Sequence, residues 1–265
     1  MIFAVIPSIR ESVIDVVSNL LDQALPPSKI VVVDNSLGKT KFPNLKELEV
    51  IVPRENLGSA GGYAAGISRC LEHKECEFIF SSDDDVLYEK NALFELRKKI
   101  LELKDAGAVR CAWKGYSGET KEVHSSVWTG VLMKKDVVQK IGLPMKDFFL
   151  YGDDVEYFLR MRKHGFKVYI VNQAQYLKRE KDMRTKKGIY LDPSRLYYAF
   201  RNEIYIGKKY DKKIAIKSIG YFIKNLPFMN RKSIFASLEG IKDGILGNLG
   251  KNQKYMIRAD ENQSR

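Results

Sequence analysis

The stretch Phe78-Ile79-Phe80-Ser81-Ser82-Asp83-Asp84-Asp85-Val86 joins an apolar run to three consecutive carboxylates. The apolar part is typical of a buried strand, and ligands of open α/β sheets collect at the carboxyl ends of such strands. Because like charges this close repel, the cluster needs either solvent or a counter-ion. Two interpretations stay open: a solvated acidic turn before a helix near residues 91–103, or a site for magnesium or manganese, which prefer oxygen ligands.

The composition favours a globular protein with an anionic partner. At 265 residues the chain can form one large domain, or one domain with a helical extension, and its 45% apolar and 29% charged residues argue against wholesale disorder. The net charge of +12 is concentrated in residues 160–265, where Lys and Arg far outnumber Asp and Glu. Nucleic acid, phospholipid headgroups and lipid-linked phosphates would all suit this basic half.

Cysteine usage indicates a reducing compartment, and hydropathy indicates a chain without a membrane-spanning segment. Cys70, Cys76 and Cys111 lack the spacing of a zinc site or a disulfide framework. Residues 1–6 are predicted to form a first strand rather than a signal peptide, and we find no uncharged apolar run near 18 residues. The sequence therefore predicts a cytoplasmic protein, soluble or peripheral on the inner face of the cell membrane.

Apolar runs alternate with helical periodicity through the first 110 residues, which predicts an α/β fold with a mostly parallel sheet. The predicted strands are Ile2–Ile6, Ile30–Val33, Leu48–Val52 and Phe78–Ser81, and the helices between and after them begin near Val13, Tyr63 and Asn91. Further strands are predicted at Ala108–Trp113, Val127–Met133 and Phe166–Val171. We expect a domain at residues 1–190, with halves at 1–110 and 111–190, and a helical extension at 191–265.

Two further segments resemble parts of a ligand site. Asn56-Leu57-Gly58-Ser59-Ala60-Gly61-Gly62 is a glycine-rich turn where a backbone could approach a ligand, although such turns often need glycine for their geometry alone. Asp153-Asp154-Val155-Glu156 begins a predicted helix, where carboxylates complement the helix dipole without any further role. Neither segment is decisive alone.

The basic half is predicted to contain a polar loop and three helices. The loop covers Lys178–Lys187, and the helices cover Pro193–Gly207, Ile214–Leu226 and Ser233–Leu246, before a frayed tail. The segment from Tyr221 to Lys232 mixes aromatic with basic residues. It is interpreted either as a solvated surface or as a face that docks on an anionic membrane.

Taken in order, the motifs resemble those of family 2 glycosyltransferases. The matching segments are Val31–Ser36, Glu55–Gly62, Asp83–Asp85 and Gly152–Arg160. The similarity looks closest to the branch of rhamnosyltransferases and galactofuranosyltransferases. The C-terminal helices of that branch are similar to two segments of this sequence, Tyr197–Asn202 and Lys242–Gly247. The resemblance implies the GT-A fold and an inverting enzyme, assisted by Mn²⁺ or Mg²⁺. Such an enzyme moves a sugar from a UDP- or dTDP-linked donor to a glycan or lipid-linked acceptor, such as one of the cell envelope.

The resemblance also implies roles for individual residues. Asp154 corresponds to the catalytic base, and Asp83 and Asp85 to the metal-binding ends of a DxD motif. The implied nucleotide-sugar site contains Pro7, Arg10, Asp34, Asn56, Gly58, Gly61, Asp83, Asp84 and Trp128. This sequence differs from the family's pattern at the metal site, because Lys178 stands near the position where the family commonly has a metal-binding histidine. A protonated lysine cannot ligate a metal, but its charge could act on the diphosphate.

Three alternatives compete with this prediction. A sugar-1-phosphate nucleotidyltransferase would share the fold, but residues 5–10 lack its glycine- and basic-rich loop. A non-catalytic relative would account for the missing histidine. A nucleic-acid-binding protein would account for the basic half but not for either acidic cluster, and no recognition motif is visible. We therefore expect no nucleic-acid partner.

Overall fold

The structure is a computed structural model that describes residues 1–178 and 192–256. The predicted loop beyond Lys178 and the last residues of the predicted tail lie outside the described residues. None of the described helices combines the length and the apolarity that crossing a bilayer requires.

In the described part of the chain, nine strands form one sheet. They are β1 (Ile2–Ser8), β2 (Lys29–Asp34), β3 (Leu48–Ile51), β4 (Phe78–Ser81), β5 (Val86–Tyr88), β6 (Ala106–Trp113), β7 (Lys121–Val123), β8 (Val131–Lys134) and β9 (Lys167–Lys178). The order along the sheet is β3-β2-β1-β4-β8-β6-β9-β5, and β7 pairs with β9. The first four strands of that order are parallel, as predicted, whereas β8 runs antiparallel to both of its neighbours.

Helices connect the strands and cover both faces of the sheet. They are α1 (Val13–Leu21), α2 (Gly58–Glu72), α3 (Ala92–Glu102), α4 (Lys135–Ile141), α5 (Asp153–Lys163), α6 (Pro193–Lys209), α7 (Lys212–Asn225) and α8 (Arg231–Leu246). Alternate residues of β1 enter opposite layers: Ala4 and Ile6 pack with α1 and α3, while Phe3 and Val5 pack with α2 and α5. This alternation is the period of a strand buried on both faces.

The register of the parallel strands brings their carboxyl ends to one edge. Ser8 at the end of β1 pairs with Asp34 at the end of β2, and Val5 pairs with Ser81 at the end of β4. The Asp83–Asp85 triplet therefore emerges beside the turn that follows β1. At the other end of the chain, Tyr197 and Tyr198 of α6 form an apolar cluster with Phe149, which precedes α5.

Some predicted boundaries are wrong. The strand predicted at Val127–Met133 begins at Val131, because Gly130 turns the chain with a φ of 68° and Trp128 packs its ring on Tyr63. In the glycine-rich segment, Asn56 and Leu57 precede α2, but the residues from Gly58 to Gly62 are helical rather than part of the predicted turn. The short strands β5 and β7 were not predicted, because three residues carry too little pattern to be recognised.

Candidate active site

A cavity of about 570 Å³ opens at the edge of the sheet where β1, β2 and β4 end. Both acidic clusters and the start of α2 face it. The predicted site residues that line it are Pro7, Arg10, Asn56, Gly58, Asp83, Asp84, Asp85, Trp128, Asp154 and Lys178. The fold therefore brings together, in one cavity, motifs that lie up to 171 positions apart in the sequence.

Two of the predicted site residues are not among those that line this cavity. Asp34 is buried, and its carboxylate accepts hydrogen bonds from the amides of Ser36 (2.9 Å) and Gly38 (3.0 Å), which shapes the turn after β2. A Cβ added to Gly61 would lie 2.8 Å from Cβ of Leu57, so Gly61 permits close packing inside the first turns of α2. Their roles in donor binding stay predictions.

The first two carboxylates of the triplet are held by hydroxyl and amide groups. Asp83 accepts hydrogen bonds from the hydroxyls of Tyr63 (3.0 Å) and Thr129. Asp84 accepts from Ser8 Oγ at 2.9 Å and from the amide of Ile9 at 3.3 Å. Burial nevertheless raises the pKa of Asp84 to about 6. A solvated acidic turn would show neither this burial nor these partners.

Asp85 faces two cations with a single oxygen. Its Oδ2 lies 3.3 Å from Nζ of Lys178 and 3.5 Å from Nη1 of Arg10. Its Oδ1 is buried and has no hydrogen-bond partner among the described residues. Since a buried, unsatisfied carboxylate oxygen is costly, this atom is suited to a ligand that enters the cavity.

The acidic residues of the cavity could supply only some of the ligands that a divalent cation needs. No group of three or more His, Cys, Asp or Glu side chains placed to hold a metal occurs within residues 1–178 and 192–256. The free Oδ1 of Asp85, with Asp83 beside it, nevertheless matches the way Mg²⁺ is held by one or two carboxylates plus substrate phosphates and water. The residues present are thus compatible with a cation that arrives with a diphosphate.

The second cluster contains two carboxylates in different surroundings. Asp153 accepts hydrogen bonds from Nε1 of Trp128 (2.8 Å) and Oγ of Ser59 (3.4 Å). Asp154 accepts from the amide of Val155 at 2.7 Å. Burial raises the pKa of both carboxyls, and the charge of Asp153 raises that of Asp154 further. Both lie in the first turn of α5, where their charges also complement the helix dipole.

The segment before α5 has an unusual backbone. Phe149 and Tyr151 have φ values of 61° and 62°, and Gly152 follows with 75°. Non-glycine residues rarely adopt this conformation unless the surrounding structure enforces it. Here the side-chain Nδ2 of Asn202 donates to the carbonyls of Leu150 and Tyr151, both at 2.7 Å. Nη2 of Arg201 donates to the carbonyl of Phe148 at 2.8 Å.

Helix α6 therefore braces the segment that carries the second acidic cluster. Arg201 and Asn202 are fully buried, and their side chains donate to several backbone carbonyls of this segment. From the sequence, this pair belongs to a C-terminal helix motif, and no role at the site is predicted for it. The available signal is the position of Arg201 and Asn202 among the apolar residues of the predicted helix.

The glycine-rich start of α2 is fixed by two asparagines. Oδ1 of Asn35 accepts from the amide of Leu57 (2.9 Å), and its Nδ2 donates to the carbonyl of Gly58 (3.2 Å). Oδ1 of Asn56 accepts from the amide of Gly58 (2.8 Å). The cavity also contains residues that were not predicted individually: Ser8, Asn35, Ser59, Tyr63, Tyr151, Asp153 and Arg195. Asn35 and Asp153 stood beside predicted residues, whereas Arg195 carried no signal.

The fold and this cavity define a class of protein: the chain has the GT-A glycosyltransferase fold. It aligns with TarS of S. aureus in a complex with UDP-GlcNAc (TM-score 0.61, 14% identity, 98% of this chain and 83% of that one). It also aligns with GalNAc-T7 solved with UDP, GalNAc and Mn²⁺ (TM-score 0.64, 10% identity, 97% and 56%). In a second TarS structure the match covers 43% of that chain, so this chain spans only part of such proteins.

Among curated proteins, the chain is similar to the galactofuranosyltransferase GlfT1 of Mycolicibacterium smegmatis. The two are 25% identical over 206 residues, which cover 63% of this chain and 67% of that protein. GlfT1 of Mycobacterium tuberculosis is 24% identical over 213 residues, covering 66% and 69%. No protein-family model matches the chain. Together, the relatives and the fold confirm the predicted resemblance to family 2 glycosyltransferases.

Proposed function

We propose that this chain transfers a sugar from a nucleotide-diphosphate donor to an acceptor hydroxyl, with inversion at the anomeric carbon. The observation that carries the proposal is the single cavity lined by Asp83–Asp85 and by Asp153 and Asp154. A sugar transfer of this kind needs one group to neutralise the departing diphosphate and another to take a proton from the acceptor. The two acidic clusters of this cavity could supply both groups.

The triplet side suits the diphosphate. Asp83 and Asp85 would hold a divalent cation, Mn²⁺ or Mg²⁺, which when bound acts as a Lewis acid that stabilises the leaving phosphate. Arg10 and Lys178 keep Asp85 in place and add positive charge of their own. Asn56 and Gly58, at the start of α2, line the same cavity and would border the nucleotide sugar.

Asp154 suits the acceptor. The acceptor oxygen attacks the anomeric carbon, the bond from that carbon to the diphosphate oxygen breaks, and the hydroxyl proton passes to Asp154. Asp153 is tied to Trp128 and Ser59, whereas Asp154 accepts from a neighbouring backbone amide. A raised pKa makes Asp154 a stronger proton acceptor than an ordinary aspartate. Since a single displacement occurs, the configuration inverts.

The relatives support the proposed class of sugar donor. UDP compounds are bound in the neighbouring structures, and the curated relatives are named galactofuranosyltransferases. We therefore propose a UDP- or dTDP-linked donor, with galactofuranose or rhamnose as the first sugars to test. The proposed acceptor is a glycan or a lipid-linked saccharide.

A thermal-shift panel tests the donor. The chain is heated with UDP-, dTDP- and GDP-sugars, each with and without Mn²⁺, since a ligand of the native state raises the melting temperature by mass action. We expect one nucleotide class to raise it, more strongly with the cation. Absence of a shift with every nucleotide would contradict the proposal. Donor binding without transfer or hydrolysis would instead favour the non-catalytic relative.

A further inference from the structure

Helices α7 and α8 bury small or polar residues and expose large apolar ones. The buried residues of α7 are Ser218 and Asn225. Those of α8 are Ser233, Ala236, Ser237, Gly240 and Gly244. A surface helix of a globular protein ordinarily turns its apolar face inward, so both helices reverse the usual arrangement.

The exposed apolar residues recur at helical spacing on each helix. On α7 they are Ile216, Ile219 and Ile223, exposed by 68%, 41% and 63%. On α8 they are Phe235, Leu238, Ile245 and Leu246, exposed by 67%, 47%, 52% and 61%. Because positions three, four and seven apart share one side of a helix, each helix presents an apolar stripe to solvent. We call these seven residues the apolar stripes.

The buried faces are fixed by close backbone contact with α6. A Cβ added to Gly240 would lie 2.4 Å from the carbonyl oxygen of Tyr197, and one added to Gly244 would lie 2.4 Å from that of Arg201. The face of α8 that packs on α6 therefore requires glycine. The helix cannot rotate its large apolar residues inward, so the stripes stay exposed unless a partner covers them.

Helix α7 and the first half of α8 are strongly basic, whereas the second half of α8 contains Glu239 and Asp243. Residues 212–238 contain no Asp or Glu. Their basic residues, all exposed, are Lys212, Lys213, Lys217, Lys224, Arg231 and Lys232. A second copy of this chain would place these cations against one another, and like charges across an interface oppose association. Nucleic acid would suit the cations but would leave isoleucine and leucine without an apolar environment.

We propose that α7 and α8 dock this protein on an anionic phospholipid bilayer. The apolar stripes enter the boundary between headgroups and acyl chains, and the flanking lysines contact lipid phosphates. Large apolar residues combined with lysines on one helical segment are the chemistry of interfacial helices. This surface lies outside the cavity described above, so the inference does not depend on the proposed transferase activity.

Vesicle sedimentation of the full chain tests the docking surface. We expect binding to vesicles of phosphatidylcholine with phosphatidylglycerol, much weaker binding to phosphatidylcholine alone, and loss of binding as salt rises. The double variant Ile223→Ser, Phe235→Ser should bind roughly tenfold more weakly, since it removes two apolar anchors. The double variant Lys217→Glu, Lys224→Glu should lose the preference for the anionic lipid.

Matched controls come from α3, whose outer face also exposes a phenylalanine and a lysine. Phe94→Ser and Lys98→Glu should bind the vesicles as the parent does. Thermal melting shows whether each variant is folded. Equal sedimentation of the parent and the Ile223→Ser, Phe235→Ser variant would overturn the proposal. So would a dimer, measured by light scattering, that this variant converts to monomer.

Discussion

At the scale of single residues, Asp153 and Asp154 are neighbours in sequence but meet different groups. Asp153 is bound by Trp128 and Ser59, which makes it a scaffold for the cavity wall. Asp154 accepts from the amide of Val155 within the described residues. The difference in partners, rather than any difference in residue type, assigns the proposed base.

Asp154→Asn should lower kcat by roughly 10²–10⁴-fold, because an amide cannot take the acceptor proton. Steady-state transfer rates measure the effect. Asp136→Asn is a matched control: Asp136 also lies in the first turn of a helix and accepts from the next residue's amide, at 2.8 Å, but is not among the residues that line the cavity. If both variants keep parental turnover, Asp154 is not the base.

The pH profile should report the same carboxyl. Burial and Asp153 raise the pKa of Asp154, so the active, deprotonated fraction increases as pH rises above the ordinary aspartate value of about 4. We expect kcat/KM to increase with pH into the neutral range before it levels. A profile that is flat from about pH 5 upward would show an unperturbed base.

Lys178→Ala tests whether the lysine acts on the diphosphate. Because Nζ of Lys178 lies 3.3 Å from Oδ2 of Asp85, its loss removes a cation from the triplet side of the cavity. We expect slower turnover and an altered dependence on Mn²⁺ in initial-rate measurements. Lys114→Ala, an exposed lysine after β6, is the control. Unchanged turnover together with unchanged metal dependence would rule out this role.

At the scale of elements, the start of α2 meets the segment before α5 almost backbone to backbone. The amide of Ala60 donates to the carbonyl of Phe149 at 3.2 Å. A Cβ added to Gly58 would lie 2.1 Å from that same oxygen. The glycine at this position is therefore needed for the contact between two elements as well as for its φ of 68°.

Gly58→Ala should destabilise the protein by about 3 kcal/mol or more, since the positive φ and the clash both contribute. Gly115→Ala is the control, because Gly115 has a φ of 86° but nothing within 4 Å of an added Cβ. It should cost about 1–2 kcal/mol, the penalty of the backbone conformation alone. Denaturant unfolding measures both. Equal losses would show that the contact with Phe149 does not matter.

At the scale of the whole molecule, the helical extension supports the site. Asn202 and Arg201 of α6 hold carbonyls of the strained segment 147–152, which leads directly to Asp153 and Asp154. Aromatic packing of Tyr197 and Tyr198 on Phe149 adds to this contact. The division at residue 190 stays a prediction, but the two parts share a segment of the candidate active site.

Asn202→Ala should lower kcat while leaving the KM for the donor nearly unchanged, because the displaced segment carries the proposed base rather than the triplet. It should also cost about 2 kcal/mol of stability, since buried carbonyls lose their donor. Ser237→Ala, which removes a buried hydrogen bond within α8, is the control and should lower stability without lowering kcat. An Asn202→Ala variant that is less stable but fully active would contradict a positioning role.

Local pattern was enough to predict much of the fold. Continuous apolar runs located the strands that end at the site, and the motifs Asp83–Asp85 and Asp153–Glu156 marked its two acidic sides. Short strands and the turn at Gly130 escaped prediction, since their conformation depends on distant packing against Tyr88 and Cys111. Asp34 and Gly61 are predicted to bind the nucleotide sugar because of their positions in the motifs, but neither is among the residues that line the cavity.

The sequence by itself determined the α/β class, the two acidic clusters and the basic C-terminal half, because residue type and periodicity carry these features locally. The tertiary structure alone decided that the side chains of Trp128 and Ser59 bind Asp153 but not Asp154, and that Arg201 and Asn202 brace the site from α6. It also decided that the large apolar residues of α7 and α8 face outward. These properties depend on which atoms meet across long sequence separations, and no local pattern encodes such contacts.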